Sequence, residues 1–309
     1  MKIMKINKNL YLLLCGQLIS QIGDKFYALA LTYWVLQTTH SPSRMGLVLF
    51  SSMAPAIVAG FLSGGIIGLF SRKTLMVCTD IIRGFVVTVV AAAYYTGVLN
   101  LYIIIAAEVV LSLCSAFFDP TVQAVIPQIV EEEELTKANA KSQFLGGIAL
   151  IAGPLLGGIC AAWLGYGFVF SFNALSFFTA SFLASMLVIK PALSETSSKK
   201  KIKENIYDSF KYVFSKRSII SIVSVVAILH FFVGSVQVIM PVFAVTLKGN
   251  GAKNLGYIES FYGMGVIFNR FFTKFDKHKR QGKERHVWRH LLYRFDLWGF
   301  WSSQLFGCP

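Results

Sequence analysis

Seven apolar runs follow one another along the chain, near residues 10–37, 45–70, 74–96, 99–118, 143–164, 166–189 and 218–246, and an eighth starts near Leu255 and stops around Ile267. A helix rises 1.5 Å per residue, so about 20 apolar residues match the roughly 30 Å hydrocarbon core of a bilayer. Lipid offers exposed backbone no hydrogen bonds, which leaves helices as the structure such runs can take inside it. Only 14% of the residues are charged and 55% are hydrophobic, against about a quarter charged in soluble domains. The expected fold class is therefore all-α integral membrane.

The polar breaks alternate in charge. Lys2, Lys5 and Lys8 precede the first run, Arg72 and Lys73 follow the second, Lys137 and Lys141 precede the fifth, and Lys190 to Arg217 holds a dense basic block. The intervening loops carry Arg44, nothing near Gly97 or Gly165, and then Lys248 with Lys253. Lys and Arg mark the cytoplasmic side, so the N-terminus is expected inside a multi-pass protein of the cell (cytoplasmic) membrane. The basic start followed by Ala28-Leu29-Ala30 mimics a signal peptide, but Asp24 and Lys25 interrupt the apolar stretch that a cleavage site requires. The net charge of +14 does not imply nucleic acid, because most of it sits in 190–217 and 268–309, and the first of these blocks suits a loop beside anionic lipid.

Six runs, a basic Ser-containing linker and further runs outline two six-helix bundles. The expected organisation is a six-helix bundle over 1–189, a cytoplasmic linker over 190–217 and the start of a second bundle over 218–267. After Ile267 the composition changes: His278, His286, His290, Trp288, Trp298 and Trp301 fall in 268–309 with many basic residues. That segment is expected to be a basic tail outside the pattern of the preceding helices, read out of frame from about residue 268.

Gly153-Pro154-Leu155-Leu156-Gly157-Gly158 lies inside the fifth run. Neighbouring helices satisfy the carbonyl freed by the proline, and the glycines admit another backbone closely. Between the second and third runs stands Gly64-Gly65-Ile66-Ile67-Gly68-Leu69-Phe70-Ser71-Arg72-Lys73, and Phe118-Asp119-Pro120, Ile126-Pro127, Glu133-Glu134-Leu135 and Ala138-Asn139 follow in order. These motifs resemble the major facilitator superfamily, and within it the macrolide-efflux type of drug:proton antiporter. The Gly-Pro segment is similar to the antiporter motif of the family's fifth helix, with Ala149 where another glycine is common. Gly64, Arg72 and Lys73 are similar to the family's cytoplasmic loop motif, but Gly68 and Leu69 replace its Asp and Arg. That departure removes the usual charge relay and leaves Arg72 and Lys73 as topology markers.

An ionisable residue within a span costs several kcal/mol unless paired or hydrated, and is a functional candidate for that reason. Asp24 follows Gly23 within the first run, as a Gly-Asp pair does in similar efflux proteins, where the resemblance implies proton or cationic-substrate handling. A packing role through a hydrogen bond is the alternative. Glu108 in the fourth run is the second candidate. Asp80 and Arg83 stand three apart and face one side of a helix, which suits a structural ion pair. Asp119 before Pro120 suits a helix-end packing residue, and His230 and Glu259 are more simply packing residues than pathway residues.

Cys15, Cys78, Cys114 and Cys160 are scattered one per run without metal or redox spacing, so no metal site is expected. There is no Walker A sequence for ATP, no soluble catalytic constellation and no expected cofactor, so the chain is not expected to be an enzyme. The resemblance implies multidrug efflux, with a hydrophobic small molecule, protons and the lipid bilayer as partners and no nucleic acid. It also implies that a chain stopping within the second bundle is truncated and inactive. The alternative is a non-transporting membrane protein, such as an assembly partner or an inactive remnant. The charge asymmetry makes a topological prediction. Single cysteines near Lys73 and Lys200 are shielded from an impermeant thiol reagent in intact cells, while those near Ser43 and Gly165 react; labelling at Lys200 from outside overturns the orientation.

Overall fold

The structure, a computed structural model, describes residues 8–67, 70–189 and 217–279. Those residues form eight α-helices: α1 (Lys8–Thr39), α2 (Pro42–Ile67), α3 (Arg72–Tyr95), α4 (Leu101–Ile129), α5 (Leu135–Leu164), α6 (Tyr166–Ser185), α7 (Arg217–Thr246) and α8 (Gly251–Lys279). A 3-10 turn over Glu132–Glu134 joins α4 to α5, and no strand occurs among the described residues. Most of the linker, the tail from residue 280, and Gly68 with Leu69 lie outside the described residues.

Among the described residues, five segments are long and apolar enough to cross a bilayer: Pro42–Gly60, Arg72–Tyr95, Leu101–Ile129, Glu132–Leu164 and Tyr166–Ser185. Helix α1 has the length, at 32 residues, but is less apolar because Gln17, Ser20, Gln21, Asp24 and Lys25 lie along it. In α7 the apolar stretch with described side chains is Phe232–Thr246. The eighth apolar run stops around Ile267, while helix α8 runs on to Lys279, since 268–279 contains neither glycine nor proline and helical backbone hydrogen bonding continues whatever the polarity of the side chains.

Local chemistry sets the breaks between helices. Asn100 caps α4, its side chain accepting from the amides of Tyr102 and Ile103 at 3.0 and 3.1 Å, which satisfies two of the orphan donors of the first turn. Gly165 holds φ +83° between α5 and α6, a left-handed conformation that glycine adopts without a Cβ penalty. Pro55 interrupts the hydrogen-bond ladder of α2, and the next amide, Ala56, donates to Ser112 Oγ of α4 at 3.0 Å.

Helix α6 packs against α1 and α3, α2 against α4, and α5 lies between α1 and α8. One apolar core joins Phe26, Leu31, Val35, Met45, Val87 and Phe170, and another joins Leu13, Met76, Phe118, Val125 and Ile126. The contacts of α5 are the closest. A Cβ on Gly157 would lie 2.9 Å from the Phe26 Cα of α1, and one on Gly153 would collide with the Lys25 side chain. On its other side, a Cβ on Gly158 would lie 2.6 Å from the Ala252 carbonyl oxygen and 3.0 Å from the Gly256 Cα of α8. Gly256 in turn faces the Pro154 carbonyl, where its Cβ would come within 2.6 Å, and Ser260 Oγ donates to the Ile151 carbonyl at 2.9 Å.

Lipid tails are as apolar as leucine, so close van der Waals contact and interhelical hydrogen bonds hold such a seam together. Gly158→Ala and Gly256→Ala are therefore expected to destabilise the chain by about 1–3 kcal/mol, the range for overpacking a tight contact. Gly46→Ala, where nothing lies within 4 Å of a new Cβ, leaves stability unchanged or raises it. Thermal unfolding of the detergent-solubilised chain measures both effects.

Candidate functional site

Asp24 falls at the middle of α1, one residue after Gly23. Gly23 is pressed against α6, where a Cβ would overlap the side chains of Ser176 and Asn173. That approach brings the Asp24 carboxylate near the Asn173 side chain and within electrostatic reach of Arg83 and Lys25. Asn173 is fully buried, and its Oδ1 accepts from Ser176 Oγ at 3.1 Å.

One turn further along α1, the Tyr27 hydroxyl faces the Glu108 carboxylate of α4. Both side chains are buried, and neither Tyr27 Oη nor Glu108 Oε1 closes a hydrogen bond of ordinary geometry. Glu108 also lies within electrostatic reach of Asp24. The two candidate carboxylates therefore belong to one site.

Asp80 and Arg83 project from α3 into the same interior and are 1% and 4% exposed. Arg83 Nη1 lies 3.5 Å from Asp80 Oδ1, too long for a strong charge-assisted hydrogen bond. Its Nη2 donates to Ser115 Oγ of α4 at 2.9 Å, and its guanidinium stacks over the ring of Phe118 at 4.5 Å and reaches that of Phe177 at 5.5 Å. Asp119 interacts with Arg83 and Asp24 from the same side. Arg83 thus pairs with Asp80 and lies within electrostatic reach of Asp24 and Asp119 on two other helices.

Among the described residues, the buried side-chain atoms without a hydrogen-bond partner are Tyr27 Oη, Asp80 Oδ1, Arg83 Nε, Glu108 Oε1 and Asn173 Nδ2. All five come from this layer. A buried polar group left unsatisfied costs about 1–3 kcal/mol, so their concentration on α1, α3, α4 and α6 makes this layer the candidate site. No group of three or more His, Cys, Asp or Glu able to hold a metal occurs among the described residues.

The other sequence-singled residues lie apart from this layer. Gly153, Pro154, Gly157 and Gly158 form the seams of α5 with α1 and α8 described above. Arg72, at the start of α3, donates to the Ala124 carbonyl near the end of α4, while Lys73 is partly exposed beside it and Gly64 lies in the last turns of α2. Glu259 on α8 interacts with Lys25 rather than with Asp24. The side chain of His230 lies outside the described residues. Sequence reasoning missed Tyr27, Asn173, Ser176 and Ser115, because it searched the apolar runs for ionisable groups. An asparagine in the middle of the apolar α6 was the signal that could have found the site's floor.

A profile of the Major Facilitator Superfamily matches residues 13–292, which includes the beginning of the segment expected to fall outside the family pattern. The MFS-type transporter YfiS of Bacillus subtilis (strain 168), itself uncharacterised, is 32% identical over 181 residues, covering 58% of this chain and 42% of that protein. Macrolide efflux protein A of Streptococcus pyogenes is 29% identical over 147 residues, 47% of this chain and 36% of that protein. The staphyloferrin A transporter of Staphylococcus aureus (strain NCTC 8325 / PS 47) is 26% identical over 212 residues, 68% and 51% respectively. The matched part of the chain thus spans between about a third and about half of the length of these relatives. Among solved structures, the inward-facing crystal structure of a bacterial homologue of the iron transporter ferroportin superposes with a TM-score of 0.52 at 14% identity, covering 97% of this chain and 90% of that one, a likeness of fold alone. With most of its length matched by one family profile and its helices arranged as in that structure, the chain belongs to the major facilitator superfamily.

Proposed function

We propose that the chain is part of an exporter that moves hydrophobic drugs or related small molecules across the cytoplasmic membrane in exchange for protons, with Asp24 as the proton-carrying group. The observation that carries this reading is the layer of unpartnered polar atoms around Asp24 and Glu108, enclosed by apolar helices. A carboxylate in such surroundings is costly when charged and unpaired, and it lowers that cost by taking up a proton or a cationic ligand. Arg83 is the counter-charge when the acids are ionised, shared among Asp80, Asp24 and Asp119.

Coupling follows from charge balance. With Asp24 ionised, the layer holds one more uncompensated negative charge and favours a cationic or polarisable substrate. With Asp24 protonated, that attraction is lost and the substrate leaves. Alternation requires the two bundles to part at one end and then at the other around a midplane site. The α5–α8 seam is one place where they now touch, and its glycine-to-carbonyl contact along one face allows separation without unlocking interdigitated side chains. The similarity to a macrolide efflux protein supports a bulky apolar substrate.

The test needs a chain carrying both bundles, reconstituted in vesicles with an imposed proton gradient and hydrophobic dyes or macrolides. Asp24→Asn removes the titratable proton at nearly constant size, and is expected to abolish gradient-dependent movement while the protein still inserts and folds. Unchanged proton dependence in Asp24→Asn makes the carboxylate a packing group and sinks the assignment. In the same assay the 309 residues alone are expected to move no dye above empty vesicles, because the described residues supply only two helices of the second bundle. Gradient-driven uptake by that chain, lost in Asp24→Asn, overturns this expectation.

A further inference from the structure

Helices α1 and α8 touch through a ladder that advances one turn at a time in opposite directions. Tyr33 of α1 lies against Gly251 of α8, where a Cβ would collide with its hydroxyl and ring. One turn down α1 and one turn up α8, Leu29 and Leu255 are buried in one apolar cluster with Ala244. The same step again brings Lys25 opposite Glu259. Residues four apart share one face of a helix, so the register set by the first two rungs places the ammonium and the carboxylate on facing surfaces.

Helix α5 closes the third side of this rung. Gly153 lies directly against the Lys25 stem, and Ser260, next to Glu259, donates to the carbonyl of Ile151 at 2.9 Å. Residues 151 and 153 of α5 thus mark the level of this rung, and Glu259 lies within electrostatic reach of Lys25 there. Lys25 acts on two acids, Asp24 on its own helix and Glu259 across the interface. Asp24 points instead toward α6, because consecutive helical residues diverge by about 100°.

We propose that Lys25 and Glu259 form an ion pair that crosses from the first bundle to the second, fastening the α1–α5–α8 junction, with Glu259 as a positioning residue that holds the Lys25 ammonium away from the Asp24 carboxylate. The fastening stands on the ladder alone, whereas the positioning role rests on the proposed transport function of Asp24. In a site of low dielectric, removing one partner of such a pair leaves an uncompensated charge and is more damaging than removing both. Without Glu259 the nearest acid to the ammonium is Asp24, and a salt bridge there would hold Asp24 ionised.

Two experiments test the fastening without any transport assay. In the 309-residue chain with its five native cysteines replaced by serine, the pairs Tyr33→Cys/Gly251→Cys and Lys25→Cys/Glu259→Cys are expected to cross-link under mild oxidation. Lys25→Cys/Phe261→Cys, with position 261 on an exposed face of α8, is expected not to. Failure of the 25/259 pair where the 33/251 pair succeeds overturns the register. In thermal unfolding, Lys25→Gln and Glu259→Gln each lower the midpoint, while the double variant Lys25→Gln/Glu259→Gln and the exchange Lys25→Glu/Glu259→Lys regain most of the loss. Strictly additive losses show that the two groups do not interact and overturn the pair. A chain with both bundles separates the positioning role: Glu259→Gln is expected to shift the pH profile of efflux in the direction of a more acidic working range, and Lys25→Gln/Glu259→Gln to restore it. A profile unmoved in Glu259→Gln, alongside successful cross-linking, removes the positioning role and leaves the fastening intact. Loss of the Asp24→Asn effect removes the transport reading alone.

Discussion

Helices in lipid gain nothing from hiding apolar surface from one another, because the lipid is apolar already. What remains is close contact, and α5 obtains it on two sides by omitting side chains. Gly153 and Gly157 admit α1, and Gly158 admits Gly256 of α8. The position of α1 between α5 and α6 depends on the first contact, and the meeting of the first bundle with the second depends on the other. Pro154, between them, frees a carbonyl on the face that α8 covers, so the same short segment provides both the recess and the polar group lining it.

The polar layer follows from that placement. Once α1 is held by α5, its opposite face is pressed on α6 at Gly23, and Asp24 and Tyr27 have nowhere to go except between α3, α4 and α6. Those helices answer with Arg83, Glu108 and Asn173, and the resulting network is incompletely satisfied. A fully paired network would stabilise the bundle more, since each buried donor or acceptor left unpaired carries a desolvation cost. The Arg83 guanidinium, stacked on Phe118 and Phe177, is kept from collapsing onto any single acid.

Much of this was legible in the residues. The spacing of the apolar runs gave the helices and their number, and Gly-Pro-Leu-Leu-Gly-Gly announced a backbone contact. Asp24 and Glu108 stood out because charges are expensive in lipid, and Asp80 with Arg83 because they stand three apart. The length of α8 is not set by hydropathy: the apolar run stops around Ile267 while the helix continues to Lys279, because hydropathy governs depth in the membrane and backbone geometry governs helix continuation. Tyr27, Asn173 and Ser115 passed unnoticed since one polar, uncharged group in an apolar run costs little and carries no label of its own.

The amino-acid sequence by itself determined that the chain is a set of membrane helices, where most of them start and stop, and which side chains are too costly to be buried without a purpose. Those properties belong to single segments and follow from length, hydropathy and the presence of glycine, proline or charge. Tertiary structure alone decided which of the costly groups meet. Asp24 and Glu108 are far apart in sequence yet lie within electrostatic reach of each other, whereas Asp24 and Lys25 are adjacent yet lie against α6 and α5 respectively. The reason is geometric: a helix turns neighbouring side chains about 100° apart, and which helix stands in each direction is set by contacts such as Gly157 on Phe26 and Gly158 on Gly256 that no one-dimensional pattern specifies.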